Sequence, residues 1–285
     1  MARILIVGTG DIGGHLAEDL ANKGHQVWGV RRSDKPVANN VELIQADVAE
    51  VETLLDLPEG IDIVVYSIAS PEFSEEGYHK YYYQGLRNVL NALRVSGQSP
   101  KRVFFVSSTS VYHQMEGEWV DETTETLPVN FSGREMLAAE QELLNDNVPG
   151  TVLRLSGLYG PGRLRMIEQA RHGGHCDPEP PVWTNRIHRD DAVGCLAFLI
   201  EKAIADEFLE DIYLGTDHEP ATLFDVLEWL KDRIGDVDPD ADMGEVTRRA
   251  NRRCKNQRLL DAGYQFKFKN YRDGYDKILT EMGLD

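Results

Sequence analysis

The segment Arg3-Ile-Leu-Ile-Val-Gly-Thr-Gly-Asp-Ile-Gly13 sets a short apolar run against a glycine-rich turn. Ile4 to Val7 is continuous and of strand length. Beyond the turn Leu16, Ala17, Leu20 and Ala21 recur at helical spacing, and Gly24 gives the stop signal. Gly8, Gly10 and Gly13 carry the G-x-G-x-x-G spacing, and the chemistry explains it. Gly8 permits the tight turn, Gly10 lets backbone approach a pyrophosphate, and Gly13 lets the helix pack closely on its strand. Phosphate then lies at the helix N-terminus, where unpaired N–H groups and the helix dipole favour an anion. The stretch predicts a dinucleotide-binding unit whose turn is Gly8, Thr9, Gly10, Asp11, Ile12 and Gly13.

Outward from the turn, a second strand over Gln26 to Val30 ends in Arg31-Arg32. An acidic residue about 20 positions after the glycines usually accepts from the ribose 2′-hydroxyl of NAD, whereas arginine suits the 2′-phosphate of NADP. Arg31 holds that place, with Arg32 beside it, so the sequence favours NADP; the alternative is NAD, with Arg31 stacked on adenine. A third strand, Val41 to Gln45, leads to Asp47 and Val48, and Asp47 is placed to meet the adenine amino group.

Ile61 to Tyr66, Arg102 to Ser107, Thr151 to Leu155 and Asp211 to Leu214 read as strands four to seven. Stretches near 78–95, 133–145, 190–204 and 222–234 read as amphipathic helices. Alternation of this kind predicts an α/β fold, a doubly wound parallel sheet of Rossmann type with helices on both faces. The chain after Leu155 is richer in proline, glycine and charge, notably Gly160-Pro161-Gly162 and Asp177-Pro178-Glu179-Pro180-Pro181. The expected division is a dinucleotide-binding core over 1–155, with return segments near 187–215, and a small C-terminal substrate lobe mainly over 156–285.

With 285 residues and 41% hydrophobic content the chain can bury a large core. Its formal net charge of −18 argues against nucleic-acid partners and anionic membrane surfaces. No apolar run approaches a membrane span, and the apolar start lacks a charged n-region or cleavage site. Cys176, Cys195 and Cys254 are an odd and sparse set, which fits reduced thiols and a cytoplasmic location. His172, His175 and Cys176 lack a fourth ligand at structural-zinc spacing, so no metal is expected.

In this order the segments Val103-Phe-Phe-Val-Ser-Ser-Thr-Ser-Val-Tyr112, Val120-Asp-Glu-Thr123, Arg154-Leu-Ser-Gly-Leu-Tyr-Gly-Pro-Gly-Arg163, Asn185-Arg-Ile-His-Arg-Asp-Asp191 and Asn251-Arg-Arg-Cys-Lys-Asn256 resemble the extended short-chain dehydrogenase/reductases, the NAD(P)-dependent epimerase/dehydratase group. The resemblance runs nearly end to end. It implies that Ser108 hydrogen-bonds the reacting substrate oxygen, that Ser67, Ile68 and Ala69 line the cofactor, and that the loop Ser156 to Leu158 closes over the nicotinamide side. It implies a small polar substrate, such as a nucleotide-sugar, and admits a homodimer.

Two departures mark the chain as an atypical member. Relatives carry their first glycine where Val7 stands, and the family's Tyr-x-x-x-Lys falls on Asn130-Phe-Ser-Gly-Arg134. The tyrosine is normally the general acid/base, and the lysine lowers its pKa while holding the nicotinamide ribose. Arg134 can supply charge and hydrogen bonds to the ribose, but Asn130 cannot exchange a proton at neutral pH. Tyr112, Tyr159 and one of Tyr81, Tyr82 and Tyr83 are the available substitutes, with Tyr112 nearest Ser108 in sequence. His188 is read as orienting the substrate lobe, because Asp190-Asp191 after it has the pattern of a helix start. Arg163, Arg165, Arg252 and Arg253 are candidates for an anionic substrate group, Arg163 foremost. Two readings stand: nicotinamide hydride transfer with a replaced Tyr/Lys pair, or a dinucleotide sensor or scaffold that has lost turnover.

Overall fold

Ile4, Leu5, Ile6 and Val7 are at most 1% exposed, and Ile63, Val64, Val65 and Tyr66 are fully buried. Runs apolar at every position form strands covered on both faces, the condition of a central parallel strand. The computed structural model describes residues 1–235, 244–246 and 250–284. In chain order its elements begin with β1 (Arg3–Val7), α1 (Asp11–Asn22), β2 (Gln26–Arg31), β3 (Val41–Gln45), β4 (Ile63–Tyr66), α2 (Glu75–Tyr78), α3 (Gly85–Val95), β5 (Arg102–Ser108), β6 (Glu118–Val120), α4 (Phe131–Leu144) and β7 (Gly150–Leu155). They continue with β8 (Gly157–Tyr159), α5 (Arg165–Arg171), β9 (Trp183–Thr184), β10 (Arg186–His188), α6 (Arg189–Ile204), β11 (Ile212–Gly215), β12 (Ala221–Thr222), α7 (Leu223–Ile234), β13 (Arg252–Cys254), α8 (Gln257–Asp261) and α9 (Tyr271–Met282).

The main sheet is parallel and seven-stranded, in the order β11-β7-β5-β4-β1-β2-β3. The order reverses at β1, which pairs with β2 on one side and β4 on the other, Val7 lying opposite both Val30 and Tyr66. The carboxyl ends of these strands therefore lie level at the topological switch point, where open α/β sheets bind ligands. The doubly wound fold expected from the sequence is the fold observed.

The chain divides into two units: Met1–Tyr112 with Thr126–Arg154 and Val193–Tyr213, and His113–Glu125 with Leu155–Ala192 and Leu214–Asp285. The first holds the glycine turn and a long helical run. Ser74 caps that run through its side chain, which accepts from the Gly77 N–H, so the helix starts at Glu75 rather than near 78. Between α2 and α3 the turn His79–Gln84 is π-helical. Its cause is local: the Gly85 N–H donates to the Lys80 carbonyl, five residues back, while the buried Tyr66 hydroxyl donates to the Tyr81 carbonyl. Gly85 admits that hydroxyl, since a Cβ there would collide with it. Ahead of the π turn, Tyr78 packs edge-on against Phe73 and Phe131, with ring centroids 5.7 and 5.4 Å away.

The second unit has its own core, with Met166, Ile167 and Ala170 of α5 against Leu223, Val226, Leu227 and Leu230 of α7, and Tyr275, Ile278 and Leu279 of α9. β8 pairs with β10 and β6 with β13, both parallel, and β9 pairs with β12 antiparallel. The buried Asp191 carboxylate accepts the N–H groups of Lys267 and Phe268 and the Tyr264 hydroxyl. Cys176, Cys195 and Cys254 are buried. Among the described residues no helix is long and apolar enough to cross a membrane, and no group of His, Cys, Asp and Glu could hold a metal ion.

Candidate functional site

The three glycines of the turn differ in what surrounds them. Gly8 has φ +96°, a region few side chains tolerate, and a Cβ there would lie 2.6 Å from Ile68 Cγ1 and 2.7 Å from the Ser67 carbonyl oxygen. A Cβ on Gly13 would run into the Gly8 carbonyl, so the first turn of α1 rests on the strand end. A Cβ on Gly10 would meet nothing within 4 Å. Gly10 is also the N-cap of α1 and has no side chain to satisfy the first-turn N–H groups. Open space and a helix N-terminus without a side-chain cap coincide at one glycine, as anion binding at a helix N-terminus requires.

That space belongs to a cleft of about 590 Å³ in the first unit, lined by Gly8, Thr9, Gly10, Val30, Arg31, Arg32, Ser33, Ala46, Asp47, Val48, Ser67, Ile68, Ala69 and Tyr81. The ends of β1, β2 and β4 and the loop after β3 form its walls. The Thr9 Oγ1 is buried there without a hydrogen-bond partner. The residues fit a dinucleotide: an open glycine at a helix N-terminus for the pyrophosphate, and cationic side chains at the end of β2. The Arg31 guanidinium donates to the Lys35 carbonyl at 3.5 Å. Arg32 donates to the Tyr81 hydroxyl at 3.0 Å, and its guanidinium carbon lies 5.3 Å from that ring's centroid. One Asp47 carboxylate oxygen accepts the Ala49 N–H at 3.0 Å.

The cleft brings together Gly8, Thr9, Gly10, Arg31, Arg32, Asp47, Val48, Ser67, Ile68 and Ala69, all named from the sequence as candidates for holding a dinucleotide. Asp11, Ile12 and Gly13 stand next to them in α1, where Ile12 and Gly13 are buried. Sequence reading missed Val30, Ser33 and Ala46, and had singled out Tyr81 only as one of three adjacent tyrosines. Strand boundaries would have found Val30 and Ala46. Nothing in an α-helical period picks Tyr81, because it lies in the π turn.

Ser108 ends β5, and its Oγ accepts the Ser110 N–H at 3.1 Å, leaving its own proton uncommitted by that bond. Behind it is a buried network. Ser107 donates to Glu140 at 2.5 Å, Arg154 holds the Glu140 carboxylate through Nε and Nη2 at 3.0 and 2.6 Å, and Arg154 donates to the Tyr112 hydroxyl at 2.9 Å. Tyr112 is 3% exposed, its hydroxyl tied into this network. Asn130 caps α4 by accepting the Gly133 N–H at 2.8 Å. Arg134 is exposed and donates to Glu75 at 2.8 Å and to the Val129 carbonyl at 3.0 Å. It does not line the cleft.

The remaining candidates belong to the second unit. Ser156 is buried before β8, Leu158 is half-buried within it, and Arg163 is exposed in the loop that follows. His188 is 1% exposed, packed between the rings of Tyr159 and Phe268, and its Nδ1 accepts the Asp190 N–H. Burial pushes its pKa down to about 4, so it is neutral at pH 7. Nearby in sequence to β11, burial raises the Asp217 carboxyl to about 8.

The model of the NAD dependent epimerase/dehydratase family matches residues 4–208. The chain belongs to that family. A Methylobacillus flagellatus protein of known structure, named for the NAD-dependent epimerases/dehydratases, is 41% identical to this family member; the alignment covers 99% of each chain, with a TM-score of 0.82. UDP-N-acetylglucosamine 4-epimerase from Bacillus cereus shares the fold at 18% identity and TM-score 0.76, covering 100% of this chain and 98% of its own. UDP-glucuronic acid 4-epimerase from Bacillus cereus, solved with NAD, does so at 19% identity and TM-score 0.75, with 99% and 98% covered. No curated protein matches this family member.

Proposed function

We propose that this protein binds NADP(H) in preference to NAD(H) and transfers hydride between the nicotinamide and a small polar carbonyl or hydroxyl substrate. The observation that carries the cofactor preference is the end of β2: Arg31 and Arg32 line the cleft where an NAD-selecting unit carries a carboxylate. NAD, which the Bacillus cereus 4-epimerase binds, is the alternative. The names of the two 4-epimerases support a nucleotide-sugar as the substrate class.

The bound cofactor supplies the hydride acceptor or donor. The protein's own part is to seat the pyrophosphate over Gly10 and the N-terminus of α1, and to offer the Ser108 hydroxyl to the substrate oxygen. Glu140 and Arg154 hold the end of β5 rigid through Ser107. Arg163 is our candidate for an anionic group on the substrate; His188, neutral and enclosed, orients its unit.

Calorimetric titration with NADP⁺ and NAD⁺ tests the preference. The parent protein binds NADP⁺ more tightly, and Arg31→Asp abolishes or reverses the order; equal affinities in the parent would sink the proposal. A second reading, a dinucleotide sensor without turnover, is favoured by one observation: Asn130 and Arg134 are spent on a helix cap and an ion pair with Glu75. NADPH oxidation with a panel of nucleotide-sugars and small carbonyl compounds separates the two. Turnover that falls in Ser108→Ala supports the enzyme; tight NADP(H) binding with no turnover on any substrate supports the sensor.

A further inference from the structure

We infer that Tyr81 is a specificity-determining positioning residue, which fixes the guanidinium of Arg32 as a second cationic group for the 2′-phosphate of NADP(H). The inference rests on the NADP preference proposed above and adds a residue that neither the glycine motif nor the end of β2 contains.

Successive residues of a strand point to opposite faces, so two adjacent arginines reach one cleft only where the chain leaves the strand. β2 ends at Arg31, and Arg32 is the first residue beyond it. A long arginine on such a loop samples many rotamers, and ordering it for a ligand costs side-chain entropy. Tyr81 removes much of that cost before a ligand arrives. Its hydroxyl accepts from Arg32 Nη1 at 3.0 Å and its ring faces the guanidinium at 5.3 Å, while Arg32 itself remains exposed to solvent. One of five N–H donors is thereby used and the rest stay available to a phosphomonoester, which arginine binds through paired hydrogen bonds.

The helix is built to deliver Tyr81 to this place. The π turn over His79–Gln84 offsets the register of the helix, the Tyr66 hydroxyl holds the Tyr81 carbonyl, and the Tyr82 hydroxyl is turned away to accept the Ser70 N–H at 3.3 Å. Of the three adjacent tyrosines, only Tyr81 lines the cleft among the described residues. π turns inside helices are frequent at functional sites.

The test uses 2′,5′-ADP and 5′-ADP as probes, because they differ by the phosphate in question and need no turnover. Tyr81→Phe keeps the ring and removes the acceptor for Arg32. We expect the affinity ratio of 2′,5′-ADP to 5′-ADP to fall about tenfold, with melting temperature within about 2 °C of the parent. Arg32→Gln lowers the ratio at least as far, and in the double variant the Tyr81 effect vanishes, since there is no guanidinium left to place. Should Tyr81→Phe fail to fold, Arg32→Lys serves instead. It keeps the charge without the fork that meets hydroxyl and phosphate together, and the ratio still falls. An unchanged ratio in Tyr81→Phe, or additive effects in the double variant, overturns the inference while leaving the NADP preference standing. A parent protein that binds both probes equally overturns both.

Discussion

Gly10 and Gly13 stand three residues apart in one turn, and adding a methyl group to each should produce opposite phenotypes. At Gly10 a Cβ enters open space, so protein atoms do not resist it. Replacing glycine reduces the entropy of the unfolded chain, a gain of about 0.4–1 kcal/mol, while the loss of a glycine N-cap costs a similar amount. The two nearly cancel, and Gly10→Ala should melt within about 2 °C of the parent. Its methyl group, however, occupies the approach to the helix N-terminus. Displacing a pyrophosphate from two charge-assisted hydrogen bonds costs about 3 kcal/mol or more, on the order of a hundredfold in affinity. At Gly13 the methyl meets the Gly8 carbonyl, which is backbone and cannot rotate away. Overpacking of this kind costs about 1–3 kcal/mol, lowering the melting temperature of Gly13→Ala by several degrees. Circular dichroism melts and calorimetric titration with NADP⁺ measure both quantities. NADP⁺ binding to Gly10→Ala within threefold of the parent would show that the dinucleotide does not cross this turn; a parent-like melt for Gly13→Ala would refute the packing account.

Further outcomes follow from the same structure. Glu140→Gln strips the buried Arg154 guanidinium of its carboxylate, and urea unfolding should show a loss of about 3–5 kcal/mol; a loss below 1 kcal/mol would contradict the network. Arg134→Ala breaks an exposed pair with Glu75 and should cost less than about 1 kcal/mol by the same measurement. Asp217, raised to about 8, keeps a proton that the unfolded chain releases near 3.8, so it makes stability fall as pH rises between those values. His188, lowered from 6.5 to about 4, acts oppositely over its narrower window, because there the unfolded chain takes up a proton that the folded one refuses. The Asp217 slope therefore stands unopposed by His188 between pH 6.5 and 8, at up to about 1.4 kcal/mol per pH unit. Asp217→Asn should flatten it, and a parent stability that is level over that range would count against a protonated Asp217.

The strands were legible because β1 and β4 are apolar at nearly every position and β5 carries the unbroken run Val103 to Val106, the mark of burial on both faces. The turn was legible because glycine spacing at a strand–helix junction has a steric cause. Arg31 was legible by distance from that turn. Less legible were contacts made across the fold. Glu140 and Arg154 read as ordinary charged residues in a helix and a strand, yet they meet in the core, and no local pattern announces a pairing between α4 and β7. Tyr112, a candidate by its nearness to Ser108 in sequence, has its hydroxyl bound by Arg154 of that pair, which sequence position alone does not show. Asn130 and Arg134 flank the start of α4, and the carboxylate that takes up Arg134 comes from a helix 59 positions away in sequence.

The π turn of His79–Gln84 amounts to one residue inserted into a helix. Each α-helical residue turns the chain by about 100°, so the insertion sets two stretches of side chains at independent angles about one axis. Ahead of it Tyr78 is seated among Phe73 and Phe131; after it Leu86, Val89, Leu90 and Leu93 face the core. Removing any one residue between 79 and 84 would restore a regular helix and force one of these groups through about 100°, burying polar positions or exposing apolar ones. The segment from 75 to 95 is thus fixed in length as well as in composition, and single-residue deletions within it should be tolerated far less well than deletions in the surface loops.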